Sequence, residues 1–75
     1  MRVKALKSNM TLVQTAKADV LVSYETPVAA CIHDQGYIRT STKWSVTTSR
    51  HINQWLKGVK AQEVEQSVLD ELLDN

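Results

Sequence analysis

Seventy-five residues, 43% apolar and 23% charged, suffice for one domain and match neither a disordered nor a membrane-embedded composition. A chain this short buries only about 60% of the surface that it exposes when unfolded, and a core of that size contributes no more than about 3–5 kcal/mol, so a homodimer is the expected means of adding stability. The net charge of +1 is far from that of a dedicated nucleic-acid domain, and the single cysteine, Cys31, excludes an internal disulfide and points to a reducing, cytoplasmic location.

The chain begins with Met1, Arg2, Val3, Lys4, Ala5, Leu6 and Lys7, then meets the polar Ser8 and Asn9 before any apolar signal-peptide core develops. Its longest apolar runs are far too short to span a bilayer. The expected mature protein is the whole chain. Through residue 44, Val, Thr, Tyr and Ile recur between turn residues without helical spacing, the pattern of short antiparallel strands. Strands are expected at residues 2–6, 11–15, 20–24, 28–33 and 37–42. Turns are expected at Lys7-Ser8-Asn9, Lys17-Ala18-Asp19, Glu25-Thr26-Pro27 and Asp34-Gln35-Gly36. Gly36 adopts a positive φ at little steric cost, which predicts a hairpin there. Pro27 lacks a backbone donor and belongs at a strand start or an edge.

Beyond Trp44 the period changes. Ile52, Trp55, Leu56 and Val59 fall at i, i+3, i+4 and i+7, which predicts a helix over 49–57, with Thr47, Thr48 and Ser49 as N-cap candidates and Gly58 just past the end. A second amphipathic pattern, Ala61, Val64, Val68, Leu69, Leu72 and Leu73, predicts a helix over 60–75 with Glu63, Glu65, Asp70 and Glu71 on its other faces. The fold class is therefore α+β: an antiparallel meander of four to five strands over 1–44, a first helix within 45–58 and an acidic C-terminal helix over 60–75. No internal repeat or low-complexity tract interrupts it.

The charges are segregated. Residues 1–60 hold all nine Lys and Arg against three acids, a formal +6, while the last fifteen residues hold five acids and no base. Such asymmetry marks an interaction surface or an acidic tail. Three accounts follow. The acidic helix folds back on the basic body through surface ion pairs worth about 0–1 kcal/mol each. Alternatively, Arg39, Lys43, Arg50 and Lys57, beside Trp44 and Trp55, bind nucleic acid. In the third account, Glu63, Glu65, Asp70 and Glu71, or the apolar stripe Val64, Val68 and Leu72, engage a protein partner in the helix-in-groove manner. The same stripe, or an uncovered edge strand, is the expected dimer contact. Trp44 and Trp55, in a chain without Phe, are expected to anchor the packing of helix on sheet.

Catalytic and metal chemistry find little support. Cys31 and His33 share one face of a strand, but two ligands fall short of the three or four that zinc requires, and His51 joins them only through an unspecified fold contact. Ser45, Thr47, Thr48 and Ser49 have the composition of an anion site at a helix start, yet capping explains them and no glycine-rich cradle precedes them. The carboxylates read as a solvated face. No catalytic site, metal or cofactor is expected.

The stretch Val22-Ser23-Tyr24-Glu25-Thr26-Pro27-Val28-Ala29-Ala30, then Tyr37-Ile38-Arg39-Thr40, then Lys43-Trp44-Ser45-Val46-Thr47-Thr48-Ser49-Arg50-His51-Ile52-Asn53-Gln54-Trp55-Leu56, resembles a family of small uncharacterised bacteriophage proteins. Its helix-start motif falls on Thr47, Thr48, His51 and Asn53, and the likeness spans residues 20–57. The resemblance implies a phage accessory protein in the bacterial cytoplasm that binds a host protein, as an inhibitor of a defence system or a modulator of host machinery.

Overall fold

The computed structural model describes residues 2–73. Among them, β1 (Arg2–Lys7), β2 (Met10–Gln14), β3 (Ala18–Ser23), β4 (Thr26–Ile32) and β5 (Gly36–Thr40) form an antiparallel meander, followed by α1 (Val46–Leu56), β6 (Gln62–Val64) and α2 (Gln66–Leu73). The sheet order is sequential, β1-β2-β3-β4-β5-β6, and only the β5–β6 pair is parallel.

Each hairpin has a local cause. Asn9 (φ 61°) and Asp34 (φ 72°), both tolerant of the left-handed region, turn the chain after β1 and β4, and Gly36 (φ 111°) completes the second turn. Between β2 and β3 the Thr15 hydroxyl accepts from the amides of Lys17 and Ala18 at 3.2 and 3.1 Å. That closure confines the bend to Ala16 and Lys17, so Ala18 and Asp19, expected in a turn, belong to β3. Similarly, the β3–β4 loop is only Tyr24 and Glu25, since Ser23 pairs with Thr26. Pro27 lies within β4, beside a bulge where Val28 is the extra residue between the pairs Val22↔Pro27 and Leu21↔Ala29. A bulge is where an interior strand accommodates a missing N–H.

The helices begin elsewhere than their periodicity predicts. Ser45, in extended backbone, caps α1 by accepting from the Thr48 amide at 3.1 Å; the expected caps Thr47, Thr48 and Ser49 all lie inside the helix. Lys57 (φ 50°) and Gly58 (φ 84°) end it. The acidic helix expected over 60–75 starts at Gln66, because Gln62–Val64 instead extends the sheet alongside β5, and the Ser41 amide donates to the Val64 carbonyl at 2.9 Å. Glu63 and Val64 are thus strand residues, Glu65 links strand to helix, and residues 74–75 of the expected helix lie outside the described residues.

One helix covers each face. Against α1 pack Met10, Leu21, Val28 and Ala29 with Ile52 and Leu56, and the half-buried Trp55 joins them. Against α2, fully buried Leu69 meets Val13, Ala18, Val20, Ala30 and Ile38, with Val22, Ile32, Val64, Leu72 and Leu73 around it. Because β3 and β4 are covered on both sides, the adjacent residues Val20 and Leu21 are both wholly buried. The acidic helix docks on its own sheet, but not by ion pairs: the only one among the described residues is His33 with Asp19 at 3.5 Å. Apolar burial holds it there. No described helix is long and apolar enough to cross a membrane.

Candidate partner-binding site

The loop after β5 carries Trp44 to the carboxyl end of the parallel β5–β6 pair, the end at which crevices open in parallel sheets. The expectation that Trp44 anchors the core is not met: it is 49% exposed. Its orientation is nevertheless set. Trp44 Nε1 donates to Gln66 Oε1 at 3.0 Å, and Gln66 Nε2 donates to the Pro27 carbonyl at 2.6 Å and to Asp70 Oδ1 at 3.0 Å. The first residue of α2 therefore ties the indole to β4 and leaves part of the ring open to solvent.

Across a cleft of about 240 Å³, lined also by Ser23, Thr26, Ser45 and Thr48, stands Tyr24. It is 51% exposed and sits at φ 58°, a region that bulky residues rarely occupy and that concentrates at functional positions. Its ring lies 6.0 Å from the His51 imidazole. Beneath it is a buried polar network: Ser23 Oγ is 2.8 Å from His51 Nδ1 and 3.1 Å from Thr48 Oγ1, and Ser45 Oγ donates to Thr48 Oγ1 at 3.2 Å. Among the described residues no buried side-chain nitrogen or oxygen lacks a partner. Ser23 and His51 have the separation of a nucleophile and its base, but no described carboxylate pairs with His51 to orient it. The network reads as the support of the Tyr24 turn. Sequence reasoning missed Ser23; the available signal was that Thr48 and His51 share the buried face of α1 with Ile52.

On the other side of Trp44 lies a cavity of about 260 Å³, lined among others by Arg39, Lys43, Ser49 and Glu63. Of the four cations expected to meet nucleic acid, the structure brings Arg39 and Lys43 together here. Arg50 and Lys57 are exposed on α1 and its cap, outside this cavity. Arg39 Nη1 donates to Asn53 Oδ1 at 3.5 Å. Of the residues expected to meet a protein, Glu63 lines the cavity and Glu65, Asp70 and Glu71 are exposed. The stripe Val64, Val68, Leu72 is divided: Val64 and Leu72 pack against the chain's own core, and Val68 is exposed.

At the opposite end, Tyr37 is stacked edge-on against Trp55 with centroids 5.8 Å apart. Its phenol is held above the ordinary value, first by its hydrogen bond with Cys31, then by the charge of Cys31, burial and the charge of Asp19. Register places Cys31 between Asp19 and Tyr37 on this face. Among the described residues no group of three His, Cys, Asp or Glu is arranged to hold a metal ion.

Fold and site together define a small α+β domain with a helix on each face of a mixed sheet and an aromatic cleft at one end. A family of unknown function, DUF8033, matches residues 1–71, and the chain belongs to it. That match includes all six strands, α1 and most of α2. No curated protein and no solved structure matches the chain.

Proposed function

We propose that this chain is a non-catalytic binding domain, a phage accessory protein whose Tyr24–Trp44 end docks on a protein of the bacterial host and so inhibits a defence system or modulates host machinery. The observation that carries the docking is Trp44, a large aromatic group half open to solvent and pinned at its Nε1 by Gln66. Trp and Tyr dominate interface hot spots, and a ring whose rotamer is already fixed loses little entropy on binding. The resemblance of residues 20–57 to small bacteriophage proteins supports a host protein as the partner. The segregated charge, with no Lys or Arg pairing a carboxylate among the described residues, supports a partner that meets both signs.

Binding of single-stranded nucleic acid is favoured by the placement of Arg39 and Lys43 beside Trp44. It is opposed by Glu63 in the same cavity and by Asp70 on the residue that holds Trp44. The test is capture from bacterial lysate on immobilised wild type and on Trp44→Ala, with circular dichroism to show that both are folded. A host protein held by the wild type and lost with Trp44→Ala is expected. Equal capture by both, or capture of nucleic acid that disappears steeply with salt, overturns the reading.

A further inference from the structure

The cavity between β5, the 41–45 loop, α1 and β6 has the chemistry of an acceptor for one anionic group. Arg39 reaches it from β5 and Lys43 from the loop, with Trp44 as an apolar wall and the hydroxyls of Thr42 and Ser49 on its lining. Neither cation has a carboxylate in contact, since the sole ion pair among the described residues is His33–Asp19. Glu63 stands opposite Arg39 in the β5–β6 register, yet the guanidinium bonds to Asn53 of α1 instead. The cavity therefore carries two cations and one acid, a surplus of one positive charge. The amide of Thr48 is already satisfied by Ser45, so the start of α1 is not needed to make the site.

Size and neighbourhood choose the ligand. At about 260 Å³ the cavity falls below the roughly 300–1,000 Å³ of small-molecule sites and suits one or two side chains. A nucleic-acid strand needs a run of cations along its phosphates, whereas here Glu63 shares the lining with the two cations, and Asp70 accepts from Gln66, the residue that holds Trp44. We propose that this cavity receives an Asp or Glu side chain of the partner protein, the carboxylate held by Arg39 and Lys43 and a neighbouring apolar residue laid on Trp44. This specifies the partner's anchor and rests on the docking of a protein at Trp44.

The test uses full-length Trp55→Phe, in which Trp44 is the only indole, titrated with acetyl-Leu-Glu-Leu-Glu-Leu amide, with its Gln counterpart and with a twelve-nucleotide oligothymidylate. A saturable change in Trp44 fluorescence is expected with the Glu peptide. Loss of a charge-assisted hydrogen bond should weaken the Gln peptide, and Arg39→Gln or Lys43→Gln with the Glu peptide, by about tenfold or more each. Arg50→Gln, the same charge change outside the cavity, should leave binding unaltered. Equal binding of both peptides, no binding of either up to millimolar concentration, or binding of the oligonucleotide alone overturns the acidic anchor. The two readings fail separately. Host-protein capture lost with Trp44→Ala but kept with Arg39→Gln and Lys43→Gln leaves docking standing and removes the anchor; capture insensitive to Trp44→Ala removes both.

Discussion

Tyr24 holds its left-handed backbone against a steric cost of about 1–2 kcal/mol, and the Ser23–His51–Thr48 network beneath it is what keeps the turn in place. Tyr24→Gly is expected to raise stability by up to about 1 kcal/mol in urea unfolding while weakening partner capture. A loss of stability instead would show that the ring contact with His51 outweighs the backbone strain. Ser23→Ala removes the buried partner of His51 Nδ1 while Thr48 keeps its bond with Ser45, and a loss of about 1–3 kcal/mol is expected. Tyr37 supplies a pH test. Its raised folded value means that the folded state binds the phenolic proton more tightly than the unfolded chain, whose value is near 10.0. Any stability that this contributes is present below that pH and lost as pH rises through the folded value. Absorbance titration of the phenols should show one late component, moved back towards 10.0 by Cys31→Ala because the hydrogen bond with Cys31 is the leading cause.

At the level of elements, the cap and the last helix make separable claims. Ser45→Ala should cost about 0.5–2 kcal/mol, since its oxygen serves the Thr48 amide, whereas Thr47→Ala, at an exposed position inside α1, should cost little. The reverse order in thermal unfolding would place the cap where periodicity alone puts it. Leu69 is the fully buried residue of α2, and Leu69→Ala should cost about 2–5 kcal/mol. Raising salt should not undock α2, because apolar contacts and not ion pairs fasten it.

For the whole molecule, folding pairs no Lys or Arg with a carboxylate among the described residues, but it does not keep the two signs apart. The β1–β2 hairpin brings Arg2, Lys4 and Lys7 to one edge of the sheet, while Glu63 lies on β6 at the other edge, opposite Arg39 of β5, and Asp70 and Glu71 lie on α2 over β3, β4 and β5. Exposed β1 is thereby blunted against its own copy, since antiparallel pairing of two such strands would oppose like charges. The homodimer is a proposal that sedimentation equilibrium decides: twice 8.4 kDa at micromolar concentration supports it, and 8.4 kDa at every concentration refutes it. Leu72→Asp is expected to destabilise the fold in either case, because Leu72 packs on its own sheet.

Four to five strands, a hairpin at Gly36 and two amphipathic helices were legible in the chain, because turn chemistry and hydrophobic period act over a few residues, whereas the order of the strands in the sheet came only from the tertiary structure. Asn9, Asp34 and Gly36 bend the backbone wherever they stand, and Ile52 and Leu56 share a helical face in any context. The sixth strand was not legible: three residues carry too little period, and Val64, at helical spacing from Val68, reads as helix until β5 offers it an edge on which to pair. Segregation of charge was also plain from the sequence, but whether opposite charges meet depends on which edge each element occupies. Exposure of Trp44 and burial of Ser23 against His51 were likewise decided by tertiary structure alone. A residue's burial is set by what covers it, and the covering residues here, Gln66 for Trp44 and α1 for Ser23, lie more than twenty positions along the chain.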